Sequence, residues 1–197
     1  MVPRTILGVV GAAVMVAVMS AQAPAQPPKG IAVDRGRPTQ HDDPLPVFDF
    51  AYFIGTWSFE WDVPEGPMGA AGTITGKTVY RAIGAQTYEA ATTATGPDGP
   101  FTIKETITYE KDAKGVSRDV VDSRGFTYAQ KATIGGDLGG FYNIFFESTP
   151  FIARGKSVRI KNNIRTGSPL AYRQAISVSV DGGAYRNYGS PWWRKAE

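Results

Sequence analysis

Few residues of this 197-residue chain are equipped for chemistry. It has no cysteine and one histidine, His41. A thiol nucleophile, a cysteine-held metal, a disulfide framework and a lipid anchor on cysteine are therefore excluded. No Gly-x-Ser-x-Gly elbow and no phosphate-binding loop is present. What stands out is a carboxylate inside an apolar stripe. Across Phe101–Tyr109, alternate positions read Phe101, Ile103, Glu105, Ile107 and Tyr109. A buried, unpartnered carboxylate costs free energy or takes up a proton. Glu105 must therefore be paired, protonated or wet. Gln130 and Gln174 occupy the same kind of position, in the stripes Phe126–Ile134 and Leu170–Val180. A hydrated or ligand-filled interior accounts for all three. A structural alternative pairs Glu105 with an internal arginine, Arg118 or Arg154, which then only ties the fold together. Asp119 and Asp122 are close in sequence, but strand alternation sends them to opposite faces. No EF-hand spacing is present, and no metal is expected.

The elements that carry these residues are strands. In Thr56–Val63, Trp57, Phe59, Trp61 and Val63 share one face, and Thr56, Ser58, Glu60 and Asp62 the other. Period two with one aromatic face is a half-buried strand. Further strands are expected over Gly72–Ile83 (with a bulge near Gly76), Gln86–Thr95, Phe101–Tyr109, Val116–Asp122 and Phe126–Ile134. Phe141–Ser148, Pro150–Lys161, Leu170–Val180 and Ala184–Arg194 follow. Asp98-Gly99 and Asp181-Gly182-Gly183 mark tight turns, and Gly135–Gly140 marks a loop. The inward face of Phe141–Ser148 is not assigned, because both faces are partly apolar. Asp49–Phe53 can form one short helical turn, and no other stretch after the leader has a helical period. The fold class is all-β: about ten short strands in an antiparallel up-and-down barrel, which removes the sheet's edges. Its interior would present Trp57, Phe59, Trp61, Glu105, Tyr128, Gln130, Tyr172 and Gln174 to a ligand.

Gly55-Thr56-Trp57, after the aromatic lead-in Phe48–Phe53, resembles the Gly-x-Trp opening of lipocalin-like (calycin) barrels. The far end, Tyr172-Arg173 followed by Val180-Asp181-Gly182-Gly183 and then aromatics, is similar to the close of small exported bacterial lipocalin-like proteins of unknown function. The resemblance spans Phe48–Lys195. It implies that Trp57 plugs the closed end of a barrel, under an arginine from the last strand, for which Arg194 is the candidate. Nitrobindin-type barrels share the architecture and bind haem through a histidine. With no histidine in this barrel, that function does not carry over, and no cofactor is expected.

The organisation expected is a signal peptide over 1–25, a Pro-rich flexible tail over 26–46 and the barrel over 47–197. Arg4 supplies the positive n-region. The apolar run Ile6–Met19 would reach only about 21 Å as a helix, short of a hydrocarbon core of about 30 Å. Cleavage is expected after Ala25 rather than Ala23, which would place Pro24 beyond the scissile bond. An uncleaved anchor is the alternative. His41, beside Asp42 and Asp43 in a polar tail, is read as solvated. The formal charge of +3 is small and scattered, and it falls by one when the leader is lost. Nucleic acid is not an expected partner. A soluble rather than outer-membrane barrel is expected, because Glu105, Gln130 and Gln174 would otherwise face lipid mid-strand. The localisation is then periplasmic or secreted, with no stable membrane insertion after leader removal.

Three functions fit. The first is an exported barrel that binds a small apolar or amphipathic molecule. The second is an isomerase- or lyase-type enzyme with Glu105 as general acid or base. The third is a ligand-free envelope protein acting through its surface. Binding leads, because the chain supplies no nucleophile and no metal ligands.

Overall fold

The structure is a computed structural model and describes residues 48–136 and 141–196. The expected leader, both cleavage sites, the whole of the tail, His41 and Asp137–Gly140 lie outside the described residues.

A 3-10 turn, Phe50–Phe53, is capped by Asp49, whose Oδ1 accepts from the Ala51 N–H at 2.9 Å. Twelve strands follow: β1 Gly55–Val63, β2 Gly72–Ala82, β3 Thr87–Gly96, β4 Gly99–Glu110, β5 Gly115–Asp122 and β6 Phe126–Gly136. The second half holds β7 Tyr142–Ser148, β8 Phe151–Ala153, β9 Lys156–Ser168, β10 Ala171–Val180, β11 Arg186–Gly189 and β12 Trp192–Lys195.

These twelve segments fill ten positions of one closed antiparallel barrel. β7 and β8 lie end to end along β9, and β11 and β12 lie end to end along β10. Each break holds a proline, Pro150 or Pro191. Proline has no N–H to give to a ladder, so a strand that meets one is interrupted there. β12 then pairs with β1, Lys195 opposite Trp57 and Trp192 opposite Glu60, and the ring closes.

Several boundaries differ from expectation. The strand expected over Pro150–Lys161 is broken by a two-residue turn at Arg154-Gly155, both with positive φ (47° and 75°). This is the primed-turn geometry that matches the twist of a hairpin. β9 then continues to Ser168, through Asn162-Asn163, where no strand was expected. The expected bulge near Gly76 is absent. β2 holds register through Gly76, opposite Phe59 on one side and Ala94 on the other. Ile74, Thr78 and Tyr80 are buried, and Val79 points outward.

Gly76 is there for space. A Cβ on it would lie 2.9 Å from Cζ of Phe59 and 2.7 Å from the Thr93 carbonyl oxygen. Gly76→Ala is therefore expected to destabilise the barrel by about 1–3 kcal/mol through overpacking. A thermal melt checks this, and an unchanged midpoint would mean that Phe59 moves aside without cost.

The interior holds two apolar clusters, one at each end. Phe48, Phe50, Phe53, Trp57, Tyr172 and Trp193 belong to the first. Val63, Met68, Phe101, Phe126, Phe151 and Tyr188 belong to the second. In β7, Ile144 and Phe146 face in and Phe145 faces out, which settles the strand whose inward set was unassigned.

Candidate functional site

The first cluster is a plug. The 3-10 turn folds under the barrel, and Phe48, Phe50 and Phe53 enter it. Trp57 is completely buried there, and its Nε1 donates to the Phe53 carbonyl at 2.6 Å. Tyr172 packs edge-on to Trp57 at 4.9 Å and stacks on Trp193 at 5.4 Å. Gly55, at φ 121°, lets the chain turn from plug into strand, and a Cβ there would press on Lys195. The cation at this end is Lys195 rather than Arg194. Its Nζ sits 5.3 Å from the Trp57 ring centre, while Arg194 is exposed. The reason is phase: Trp193 and Lys195 share the inward side of β12, and Lys195 is the register partner of Trp57.

Above the plug runs a belt of polar side chains, one from each of eight successive barrel positions. Thr78 and Thr92 face each other, their hydroxyls 2.8 Å apart. Glu105, Arg118, Gln130, Ser148, Asn162 and Gln174 continue the belt. Arg118 is its hub. Its Nη1 donates to Glu105 Oε2 at 2.8 Å and its Nε to Gln130 Oε1 at 2.6 Å. In the amide orientation that its neighbours require, Asn162 Oδ1 accepts from Arg118 Nη2 at 2.6 Å and from Gln174 Nε2 at 2.8 Å. The guanidinium also lies 4.2 Å from the Phe146 ring centre. Ser148 Oγ accepts from the Ile160 N–H at 2.8 Å. At the two remaining barrel positions, those of β1 and β12, Phe59 and Trp193 stand at this level instead and stack at 4.9 Å.

Register places the ion pair. Arg118 lies opposite Ile107 on β4 and opposite Gln130 on β6. Glu105 is one inward step along β4, a diagonal neighbour within reach of a long side chain. Both partners are enclosed, with side chains 13% and 7% exposed. Burial is the largest single influence and works against the Arg118 charge, but Glu105 together with the Tyr128, Tyr80 and Tyr172 hydroxyls overcomes it, and the guanidinium pKa is raised. Burial, reinforced by Glu105, also pushes the Tyr80 and Tyr172 hydroxyls well above their ordinary range. Gln130 turns its oxygen to Arg118, which leaves its buried Nε2 without a partner among the described residues.

Between the belt and the second cluster lies a cavity of about 120 Å³. Its walls include Phe59, Trp61, Ile103, Tyr128, Ile176 and Trp193, and its floor includes Thr78, Thr92, Glu105, Arg118, Asn162 and Gln174. The segment 64–71 crosses its mouth with Met68 turned in and buried. That segment is tied down at two points. Asp98 Oδ2 accepts from the Ala70 N–H at 3.0 Å and from Arg154 Nη2 at 2.8 Å. Arg124, ion-paired with Asp122 at 2.6 Å, donates to the Met68 carbonyl at 3.2 Å. Arg154 thus serves the rim, and Arg118 is the partner of Glu105.

Of the eight residues proposed to meet a ligand, five border the cavity: Phe59, Trp61, Glu105, Tyr128 and Gln174. Trp57 and Tyr172 lie in the plug, on the far side of the belt, and Gln130 sits behind Arg118. Thr78, Thr92, Ser148 and Asn162 were not singled out from the sequence. The available signal was one polar residue near the middle of each inward stripe. Among the described residues, no group of three or more His, Cys, Asp or Glu side chains could hold a metal ion.

No protein-family model matches the sequence, and no curated protein matches it. The fold has solved counterparts. The crystal structure of Rv2717c from M. tuberculosis superposes with a TM-score of 0.62 at 10% identity, over 75% of this chain and 94% of that one. A de novo designed fluorescence-activating β-barrel gives a TM-score of 0.43 at 15% identity, over 76% and 100%. A redesigned barrel, mFAP0, bound to DFHBI gives 0.40 at 14% identity, over 73% and 99%. At such identities the likeness concerns the fold, which is a lipocalin-like antiparallel barrel of ten strands.

Proposed function

We propose that this protein is an exported binding module that holds a small, partly apolar molecule inside its lipocalin-like barrel. The observation that carries the reading is the cavity itself. One pole is aromatic, the other is a hydrogen-bonded polar belt, and a tied-down segment covers the mouth. Sites that hold small molecules combine an apolar wall with a few fixed polar groups. Phe59, Trp61, Glu105, Tyr128 and Gln174 are the contacts proposed. Trp57, Gln130 and Tyr172 support them from below. Export rests on the pattern of Met1–Ala25, and places the protein in the periplasm or outside the cell.

Native mass spectrometry of the protein purified from its own host tests both parts. A retained small molecule that departs on denaturation is expected, on a chain that begins after Ala25. Glu105→Gln, which keeps the shape of the side chain, should reduce the retained fraction. Loss of stability in this variant with retention unchanged would make the Glu105–Arg118 pair a purely structural device, and a wild-type protein that retains no molecule would overturn the binding reading.

A further inference from the structure

Resting on the reading of the cavity as a binding site, its charge balance and size narrow the ligand class. Every charged side chain bordering the cavity is already in an ion pair: Glu105 with Arg118, Asp122 with Arg124, and Asp98 with Arg154. A ligand that brought its own charge would add an uncompensated ion to an enclosed space, which is strongly unfavourable. The interior therefore selects against both anions and cations.

Hydrogen-bonding capacity remains. Glu105 uses Oε2 for Arg118, and its Oε1 has no partner among the described residues. Tyr128 lines the same cavity, its ring stacked on Phe151 at 4.5 Å, and its hydroxyl has no hydrogen-bond partner among the described residues. A carboxylate oxygen only accepts, whereas a phenol hydroxyl can donate. The two together call for one small neutral group that donates to Glu105 and accepts from Tyr128. Size sets the rest. The cavity is about 120 Å³, and an apolar cavity of about 150 Å³ takes up one benzene ring.

We propose that the cavity takes a neutral single-ring aromatic molecule bearing a hydroxyl or an equivalent donor–acceptor group, with that group seated between Glu105 and Tyr128. The ring then lies among Phe59, Trp61 and Trp193.

Calorimetric titration of the mature protein with phenol, benzoate, benzylamine and toluene tests this. Phenol should bind roughly ten- to a hundredfold tighter than the other three, the range expected of a hydrogen bond to a charged group. Tyr128→Phe should weaken phenol and leave toluene unchanged. Glu105→Gln leaves the Arg118 charge unbalanced, so benzoate should gain on phenol; a role for Glu105 in folding alone would not move that ratio. Tyr128→Phe leaves the ion pair intact and remains informative if Glu105→Gln does not fold. Benzoate or benzylamine binding as tightly as phenol to the wild type would overturn the proposal. If none of the four binds but the host protein retains another molecule, the ligand class is wrong and the binding function stands. If none binds and nothing is retained, both fail.

Discussion

Trp57→Ala should cost about 3–5 kcal/mol of unfolding free energy, the range for removing a large buried aromatic. For a domain of this size, that corresponds to a fall in melting temperature of roughly 6–20 °C. Trp57 is wholly enclosed, so the whole indole volume would be left as a void. Its neighbours Tyr52, Tyr172 and Phe53 belong to a tightly interlocked aromatic group and cannot collapse into the space without breaking other contacts. The bond from Nε1 to the Phe53 carbonyl is lost as well, which unties the 3-10 turn from the barrel floor. Trp57→Phe separates the two terms, because it keeps most of the packing and loses the hydrogen bond. Circular-dichroism melts of the two variants beside the wild type supply the measurement. A midpoint within a degree or two of wild type for Trp57→Ala would show that the plug is not a structural keystone.

The second large effect is expected at Arg118. Arg118→Met keeps much of the volume and removes the charge. Glu105 is then left enclosed without its counter-ion, and Gln130 Oε1 and Asn162 Oδ1 each lose a donor. Breaking one side of a buried ion pair costs about 3–5 kcal/mol. Removing both sides is a different matter, because two apolar groups of similar size leave no charge to compensate. The double variant Arg118→Met with Glu105→Met should therefore be markedly more stable than Arg118→Met alone. Denaturant titration of the four proteins in the cycle gives the coupling directly. Additive effects would show that the two side chains do not stabilise one another.

Much of this architecture is legible in the sequence because an alternating stripe carries its own phase. Trp57–Val63 and Phe101–Tyr109 leave no doubt which side faces in, and Glu105 is conspicuous for that reason. β9 was harder. Its inward set runs through Asn162 and Thr166, so polarity there mimics a loop. Arg118 and Arg154 were equal candidates for Glu105 until pairing was known, since the choice depends on register between β4 and β5 rather than on either strand alone. Arg194 was named because the lipocalin-like resemblance implies an arginine at that place; the register of β12 on β1 puts Lys195 there instead. The polar belt is less legible still. Thr78 and Gln174 are nearly a hundred positions apart, and closure alone makes them part of one ring.

Closure also governs the order of events when the chain is made. β12 completes the barrel by pairing with β1, and Glu60 meets Trp192 more than a hundred residues after its own synthesis. At about 5–20 residues per second, that interval is on the order of ten seconds. During it, β1 has β2 on one side and bare ladder groups on the other, with Phe59 and Trp61 still uncovered. Contacts this distant in sequence make folding slow, because the connecting chain must be ordered before they form. The ten-strand seam thus gives any factor that captures unfolded chains a long opportunity, which ends when β12 arrives.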